Sequence, residues 1–141
     1  PYLKILPQLK ELYLTRTGIG DETLRQVADL PMLESLSLIG TSVTPDGIAY
    51  LQEAKRLQDL CVAATELDDA GLRDVQSAIR HLKQVTRLDM TGCPVSDESL
   101  TVLKKMTHLE QLRVGATKIS EEGLRALRSE LPDCELQTDI R

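Results

Sequence analysis

Few residues in this sequence have the chemistry of an active site. The chain contains two histidines, His81 and His108, and three cysteines, Cys61, Cys93 and Cys134. A thiol-dependent enzyme needs a cysteine with a lowered pKa and a base beside it. The apolar spacing places both histidines where a helix leads into the next strand, away from the sheet face that carries Cys61. We therefore expect no pairing of a cysteine with a histidine.

Paired acidic residues are the next candidates, since carboxylates bind metal ions. The pairs Asp68–Asp69 and Glu121–Glu122 lie at predicted helix starts, where capping and the helix dipole explain them. The cysteines are widely spaced and form no CxxC motif, so they indicate neither a disulfide framework nor a zinc site. The segments GTSVTPDG and TGIGD lack the spacing and the lysine of a phosphate-binding loop. The sequence thus predicts no enzyme, no catalytic residue, no cofactor and no metal.

Composition limits the class of protein and its partners. The chain has 141 residues, of which 41% are apolar and 28% charged, which is typical of one folded domain. The net charge of -5 is spread along the sequence without a basic patch, so neither nucleic acid nor a membrane surface is an expected partner. No apolar run approaches the roughly 20 residues that cross a bilayer. Asn is absent, which excludes N-glycosylation and favours an intracellular location.

The elements that would position any functional residue come from an internal repeat. Segments starting at Leu9, Leu33, Leu57, Val85 and Leu109 align with one another. The residues 3, 5, 10, 15 and 18 positions after each start are apolar in every copy. We call these copies repeats 1 to 5. A repeat of this length indicates a solenoid, in which each unit packs only against its neighbours.

Within each copy the apolar period changes partway. In repeat 2, Leu36 and Leu38 alternate with Ser37 as in a short strand, whereas Ile48 and Leu51 recur at helical spacing. One unit is therefore a strand, a turn and a helix. Side chains that can accept the free amide hydrogen bonds of the first helical turn stand at each predicted helix start: Thr44, Asp68, Ser96 and Ser120. Gly20 is the weakest of the five predicted caps.

The pattern LxxLxLxxTx[IVL], followed by [ST]D and a helix, resembles the leucine-rich repeat. The segment TGCPVSDESL is most similar to the cysteine-containing and ribonuclease-inhibitor-like subclasses. Where that family usually has Asn or Cys, this chain has Thr17, Thr41, Thr65, Cys93 and Thr117, which resembles a bacterial variant. A Thr hydroxyl can bond the backbone there, and Cys93 does so less well. The resemblance implies an α/β solenoid: a right-handed βα superhelix with a parallel sheet on the concave face and helices on the convex face.

The repeat also suggests boundaries within a single domain, 1–141. Leu3 and Leu6 lie 24 residues before Val27 and Leu30, so residues 1–8 are interpreted as the remnant of a preceding repeat, and 131–141 as a C-terminal cap. Between Val75 and Val85 the chain is four residues longer than in the other repeats. This is interpreted as a tolerated extra helical turn on the convex side, with a docking knob as the alternative.

Function should depend on the strand residues that face away from the core. One predicted row across the repeats is Tyr13, Ser37, Cys61, Asp89 and Arg113, and a second is Thr15, Ile39, Ala63, Thr91 and Gly115. The first repeats are more apolar, and the last ones more charged. An aromatic anchor beside polar contacts is typical of a protein interface, although an ordinary solvated sheet face is the alternative. The predicted binding residues are Tyr13, Thr15, Ser37, Ile39, Cys61, Ala63, Arg87, Asp89, Gln111 and Arg113.

Three functions can be compared on these grounds. The favoured one is a non-catalytic protein–protein interaction module within a larger protein, whose protein partner the sequence does not identify. The alternative is a scaffolding or oligomerising segment, with self-association through an open N-terminal edge near Tyr2, Leu3 and Ile5. A thiol enzyme using Cys61 is disfavoured because no base is expected beside it.

Overall fold

The computed structural model describes residues 2–73 and 82–138 of the chain. Each repeat contributes one strand of three residues, and a sixth strand follows repeat 5. The strands are β1 (Glu11–Tyr13), β2 (Ser35–Ser37), β3 (Asp59–Cys61), β4 (Arg87–Asp89), β5 (Gln111–Arg113) and β6 (Glu135–Gln137). They form one parallel sheet in sequence order, which confirms the predicted α/β solenoid.

The middle residue of every strand is a leucine. These leucines are in register across the sheet: Leu12, Leu36, Leu60, Leu88, Leu112 and Leu136. Side chains alternate between the two faces of a strand. Because the leucines face the core, the first and third residues of each strand face outward and form two rows on the concave face.

Short helices lie on the other side of the core. They are α1 (Asp21–Val27), α2 (Pro45–Ala49), α3 (Leu100–Leu103) and α4 (Glu121–Glu130), with 3-10 turns at Tyr2–Ile5, Tyr50–Glu53 and Asp97–Ser99. In repeat 3, residues 69–73 are helical up to the edge of the described range. The helices of the described ranges are too short or too polar to span a membrane. Most of the predicted extra turn, with His81 in it, lies outside the described residues and stays a prediction.

The core is complete in the middle of the sheet and less covered at its two ends. Leu36 and its counterparts in repeats 3 to 5 are buried, whereas Leu12 of repeat 1 is only half-buried. Ile5 is 73% exposed, so the N-terminal edge is open in the described residues. At the other end Leu136 is half-buried. The predicted remnant at 1–8 and cap at 131–141 stay predictions.

The turn after each strand has the same backbone geometry in all five repeats. The seventh residue after each repeat start has a positive φ, between 51° and 73°: Arg16, Gly40, Ala64, Gly92 and Ala116. Glycine adopts this left-handed conformation without steric cost, but a residue with a Cβ does not. Three of the five turns are therefore formed against the preference of their residue.

The threonines after these turns act as the sequence predicts. Each hydroxyl donates to the carbonyl oxygen three residues earlier, at 2.6 to 2.8 Å, in Thr17, Thr41, Thr65 and Thr117. Cys93 stands at the same position, but its thiol donates to the Val62 carbonyl of the preceding repeat, 3.1 Å away. The threonines thus fix their own turns, whereas Cys93 links two repeats.

Three of the four predicted side-chain caps are confirmed. Ser96 Oγ accepts from the Glu98 amide at 3.3 Å, Ser120 Oγ accepts from the Gly123 amide at 3.0 Å, and Asp68 Oδ1 accepts from the Gly71 amide at 2.7 Å. The cap predicted at Thr44 is wrong, because its side chain makes no hydrogen bond to its own helix.

The hydroxyl of Thr44 is instead bound by the preceding repeat. Asp21 accepts hydrogen bonds from the amide and the hydroxyl of Thr44, at 2.8 and 2.6 Å. The same pair of bonds joins Asp69 to Ser96 and Asp97 to Ser120. We call these contacts the aspartate bridges. They link repeats 1 to 2, 3 to 4 and 4 to 5, whereas Pro45 occupies the corresponding position between repeats 2 and 3.

At two of the three aspartate bridges a glycine makes room for the aspartate of the preceding repeat. A Cβ at Gly47 would overlap the carboxylate of Asp21, and one at Gly123 would overlap that of Asp97. In repeat 4 this position is Ser99, whose buried hydroxyl donates to Asp69. The glycines and the aspartate bridges therefore belong to one contact between neighbouring repeats.

Candidate functional site

The predicted binding residues lie together on the concave face. Nine of the ten line one groove that is open to solvent: Tyr13, Thr15, Ser37, Ile39, Cys61, Arg87, Asp89, Gln111 and Arg113. Ala63 does not line it. The groove also contains Ser35 and Asp59, which sequence reasoning did not select. Asp59 could have been found, because it has the same position in its repeat as Arg87 and Gln111.

The lining of the groove over β2 and β3 includes the short side chains of Ser35, Ser37 and Cys61. Ser37 is 7% exposed, and Ala63, outside the groove, is 8% exposed, although both were predicted to face solvent. Neither projects as far as Tyr13, which is 66% exposed. Cys61 and Ile39 are half-buried. The concave face therefore has a depression over β2 and β3, with Tyr13 on one side and charged side chains on the other. We call this region the central depression.

Tyr13 is held by its neighbour on β1. Its hydroxyl donates to Glu11 Oε2 at 3.0 Å. This hydrogen bond and the negative charge of Glu11 raise the pKa of Tyr13, and the charge of Asp59 acts in the same direction. Beside the ring, Thr15 Oγ1 and Ser37 Oγ are 3.3 Å apart and share a hydrogen bond. The aromatic ring thus stands in solvent while its hydroxyl is fixed.

The other side of the central depression is a set of cross-strand charge pairs. Arg87 donates to both oxygens of Asp59, through Nε to Oδ1 and through Nη2 to Oδ2 at 2.6 Å. These bonds raise the pKa of Arg87. One strand further, Arg113 Nη1 lies 3.7 Å from Asp89 Oδ2. Exposed pairs of this kind contribute little stability. Their main effect is to orient the guanidinium groups.

Cys61 is unsuited to nucleophilic chemistry. Burial raises the pKa of its thiol to about 11, and the carboxylate of Asp89 acts in the same direction against a backbone hydrogen bond from Ala63. A thiol with this pKa is protonated at neutral pH, and the thiolate is the reactive form. His108 is half-buried and its Nε2 has no hydrogen-bond partner among the described residues, so it is not poised against a cysteine there.

The described residues contain no group of three or more histidine, cysteine or acidic side chains arranged to hold a metal ion. The carboxylates of Asp68 and Asp69 make hydrogen bonds within the protein instead of forming a metal site. Asp68 caps its own helix through the Gly71 amide, and Asp69 binds Ser96 in the next repeat. The two carboxylates therefore have separate structural partners.

Comparison with known proteins gives the fold but not a partner. The family model described as a leucine rich repeat matches residues 81–104. No curated protein matches the sequence. Among solved structures, a leucine-rich repeat protein of Leptospira interrogans is 21% identical, with a TM-score of 0.64 over 96% of this chain and 39% of that chain. A Bacteroides fragilis protein is 22% identical, with a TM-score of 0.74 over 94% of this chain and 42% of that chain.

A third similar structure is the complex of TLR13 with ssRNA13, which is 18% identical, with a TM-score of 0.62 over 96% of this chain and 23% of that chain. The chain thus spans less than half the length of each of these three proteins. At sequence identities this low, the structural similarity shows a common fold alone. Together with the repeat and the six-stranded parallel sheet, these similarities show that the chain has the fold of the leucine-rich repeat solenoid.

Proposed function

We propose that the chain is a non-catalytic protein-binding module that uses its concave face. The single observation that carries the proposal is the groove in which nine outward strand residues meet beside the exposed ring of Tyr13. Tyrosine is enriched at protein interfaces because its ring offers a large contact area while its hydroxyl keeps a polar partner. Leucine-rich repeat proteins generally bind protein partners, which supports the same function.

A rigid surface supports binding because little order is lost when a partner docks. Most groove residues stand on β2 to β5, whose backbones are bonded to both neighbouring strands, whereas Tyr13 stands on the edge strand β1, which pairs with β2. Tyr13 and Arg87 are further oriented by hydrogen bonds to carboxylates. Side chains that are already placed reduce the entropy cost of association.

We propose a protein rather than a nucleic acid as the partner. The outward strand rows carry four carboxylates, at Glu11, Asp59, Asp89 and Glu135, but only two cations, at Arg87 and Arg113. A nucleic-acid surface needs unpaired cations to neutralise phosphates. We also propose that the module is part of a larger polypeptide, as its share of the similar chains suggests.

Capture of a partner from a lysate of the source organism tests the proposal. The immobilised 141-residue chain is compared with a Tyr13→Ser/Ile39→Ser variant, and bound proteins are identified by mass spectrometry. We expect the variant to lose the partner, mainly through faster dissociation, because both changes remove apolar contact. An Asp89→Arg/Arg113→Asp variant should change which proteins are retained, since charge complementarity sets selectivity.

The matched control is Tyr50→Ser. Tyr50 is also an exposed tyrosine, but it lies in a 3-10 turn on the helix side. Its replacement should leave capture unchanged. If the control loses the partner while the concave variants retain it at parental affinity, then the binding face is the convex one and the proposal is wrong.

The second candidate function is a scaffolding or oligomerising segment that pairs through its N-terminal edge. It is favoured by one observation: Ile5 and Leu6 are exposed there, and Leu12 is less covered than its counterparts. Light scattering after size-exclusion chromatography discriminates it. Growth of the molar mass with concentration, reversed by Ile5→Ser/Leu6→Ser, supports this function, whereas a constant monomer mass excludes it.

A further inference from the structure

One flank of the solenoid carries cations that are separated in the sequence. This flank is formed by the residues that lead into the strands, one and two positions before the start of repeats 2 to 5. They are Pro31, Met32, Lys55, Arg56, Lys83, Gln84, Thr107 and His108. Three of the eight are cations and none is acidic. Because neighbouring parallel strands are about 4.8 Å apart, stacking of repeats 3 and 4 brings these cations to one side. We call Lys55, Arg56 and Lys83 the basic flank.

Two members of the basic flank line a recess that is open to solvent. The lining consists of Lys55 and Arg56 with Glu34, Gln58, Gln84, Thr86, Arg87 and Glu110. Glu34, Gln58, Thr86 and Glu110 hold the same position in repeats 2 to 5. The two acids therefore stand at the ends of this row. The centre of the recess, over repeats 3 and 4, is lined by cations and by uncharged polar side chains.

Some of the charges around the recess already have partners. Glu34 Oε1 lies 3.4 Å from Lys10 Nζ, and Arg87 donates to the carboxylate of Asp59. Neither of these two groups is the main attraction for an incoming charge. Lys83, by contrast, forms no ion pair within the described ranges 2–73 and 82–138.

The other two cations of the basic flank are weakly paired. In the part of the chain that the structure describes, the guanidinium of Arg56 makes one hydrogen bond, from Nη1 to Met32 Sδ at 2.8 Å. A thioether sulfur is a weak acceptor. Lys55 Nζ donates to the Gln52 carbonyl at 2.7 Å, and it lies 3.9 Å from Glu53 Oε2. Both side chains of this ion pair are more than 60% exposed, so it contributes little and is easily exchanged.

We propose that the basic flank receives an acidic segment of the protein partner. This inference rests on the proposed function, and it adds a second contact surface and the charge of the segment that docks there. The two surfaces are continuous, because Arg87 lines both the concave groove and the recess. A partner that covers the charged end of the groove can therefore extend onto the flank.

Carboxylates fit this recess better than other groups. The planar fork of N–H donors of Arg56 matches the two oxygens of one carboxylate, and Lys55 adds a second cation to the same lining. Gln58 and Thr86 contribute side chains that can donate hydrogen bonds. Nucleic acid fits less well, because it needs a longer row of cations, and here acids close the recess at both ends.

A titration with short peptides tests the inference without knowledge of the partner. The probe is Ac-Gly-Glu-Gly-Glu-Gly-NH2, and the control peptide has glutamine in place of both glutamates. Each is added to the 141-residue chain at low salt and followed by NMR. We expect the glutamate peptide to shift the amide signals of Lys55, Arg56 and Gln84 with a millimolar dissociation constant. The glutamine peptide should bind at least about threefold more weakly, and added salt should weaken the glutamate peptide, because exposed charges are screened.

Variants connect the binding to the residues. Arg56→Gln should weaken binding of the glutamate peptide at least about threefold, and Lys55→Gln/Arg56→Gln should weaken it further. Lys118→Gln is the matched control. It changes the net charge by the same amount as Arg56→Gln, but Lys118 is an exposed residue that follows β5, at the opposite end of the strands. It should leave binding unchanged. Retained NMR dispersion and urea midpoint show that each variant is folded.

Four results overturn the inference. They are equal binding of the two peptides, equal losses in Arg56→Gln and Lys118→Gln, no shift with the glutamate peptide at about twenty times a millimolar dissociation constant, and tighter binding of the thymidine trinucleotide. The trinucleotide has the same charge as the glutamate peptide, so its preference would indicate a phosphate-binding surface instead.

The proposed function fails on a different result, the retention of the lysate partner by Tyr13→Ser/Ile39→Ser. If that variant loses the partner while the glutamate peptide is silent, the concave face still binds protein, and the basic flank has no part in it.

Discussion

Cys61 shows how the surroundings of one side chain decide its chemistry. It stands in the middle of the concave face, where a nucleophile would be expected, but burial raises its pKa to about 11. We expect iodoacetamide to alkylate Cys61 at pH 8 on the order of a hundredfold more slowly than the same residue in the unfolded chain, because the thiolate is the reactive species.

Mass spectrometry of peptides after timed alkylation measures this rate in the presence and absence of urea. The apparent pKa of the folded rate profile should lie near 11. The control is Asp89→Asn, which removes one of the charges that raise the pKa and should accelerate the reaction. A folded profile with a midpoint near that of a free thiol would contradict this account of the site.

His108 makes stability depend on pH. Burial lowers its pKa, and Lys83 acts in the same direction. The folded state therefore favours the neutral imidazole ring. The contribution of His108 to the free energy of unfolding is complete above the unfolded pKa of about 6.5, and it is lost as the pH falls below that value towards the lower folded pKa. We expect the parent chain to lose more stability between pH 7.5 and 5.5 than His108→Gln does, measured by urea unfolding.

The carboxylates do not obscure this window. Hydrogen bonds from the Ser120 hydroxyl and amide lower the pKa of Asp97. Its stabilisation is therefore complete above the unfolded pKa of about 4 and is lost as the pH falls from there through the lower folded pKa, which is below the window of His108. Equal pH dependence of the parent chain and His108→Gln between pH 5.5 and 7.5 would show that His108 is protonated equally well in both states.

At the scale of single residues, the sequence predicts which face of the sheet a side chain is on better than it predicts how far that side chain is exposed to solvent. The alternation of apolar positions places Tyr13 and Arg113 outward, and both are exposed. Ser37 and Ala63 have the same periodicity but are buried, because short side chains between longer neighbours do not reach solvent. Periodicity gives a side chain's face, whereas its exposure also depends on residues from the neighbouring strands.

At the scale of the element, the packing between neighbouring helix starts should reverse the usual effect of replacing a helical glycine by alanine. Replacing a glycine by alanine in a helix usually stabilises it by about 1 kcal/mol. At Gly123 in α4, however, the new Cβ would overlap Asp97 and lie 2.9 Å from Ile119 Cγ2. We therefore expect Gly123→Ala to lower the free energy of unfolding by roughly 1 to 3 kcal/mol, as overpacking does.

Urea unfolding of four chains checks this: the parent, Gly123→Ala, Asp97→Ala and the double variant. Part of the clash is with the Asp97 side chain and part with Ile119, so the loss caused by Gly123→Ala should shrink without vanishing in the Asp97→Ala background. Ala126→Gly in the same helix is the control and should be destabilising for the ordinary reason. A stabilising Gly123→Ala would mean that the two helix starts are less closely packed.

The repeat sequence predicts the strands and most caps, because both depend on residues within one unit. Ser96 and Ser120 could be assigned from their place before an acidic first turn. The failure at Thr44 has a different origin: its hydroxyl binds Asp21, which is 23 residues away. Sequence reasoning assigned the first-turn aspartates to the helix dipole. Their role between repeats depends on how the units stack, which no single unit determines.

At the scale of the molecule, the repeats are joined unequally. Aspartate bridges link repeats 1 to 2, 3 to 4 and 4 to 5. Between repeats 2 and 3, Pro45 has no carboxylate to offer. Repeat 1 is also less covered, since Leu12 is half-buried where its counterparts are buried. In a solenoid, stability is the sum of the units and of the contacts between neighbours. The weakest junction should therefore separate repeats 1 and 2 from the rest.

Native-state hydrogen exchange measures this directly. The amides of Leu14 and Leu38, which bond the carbonyls of Ser37 and Cys61, report on repeats 1 and 2, and the Met90 amide, bonded to Arg113, reports on repeat 4. We expect Leu14 and Leu38 to share one opening free energy that is at least about 1 kcal/mol below that of Met90, since contiguous units open together.

Introducing the missing bridge with Pro45→Asp/Asp68→Ser should raise the protection of the Leu38 amide and leave that of Met90 nearly unchanged. Asp21→Asn, which weakens the bridge between repeats 1 and 2, should lower the hydrogen-exchange protection of the Leu14 amide. Uniform opening of all three amides, unaffected by these changes, would mean that the five repeats unfold as one unit and that the junction at Pro45 is not a boundary.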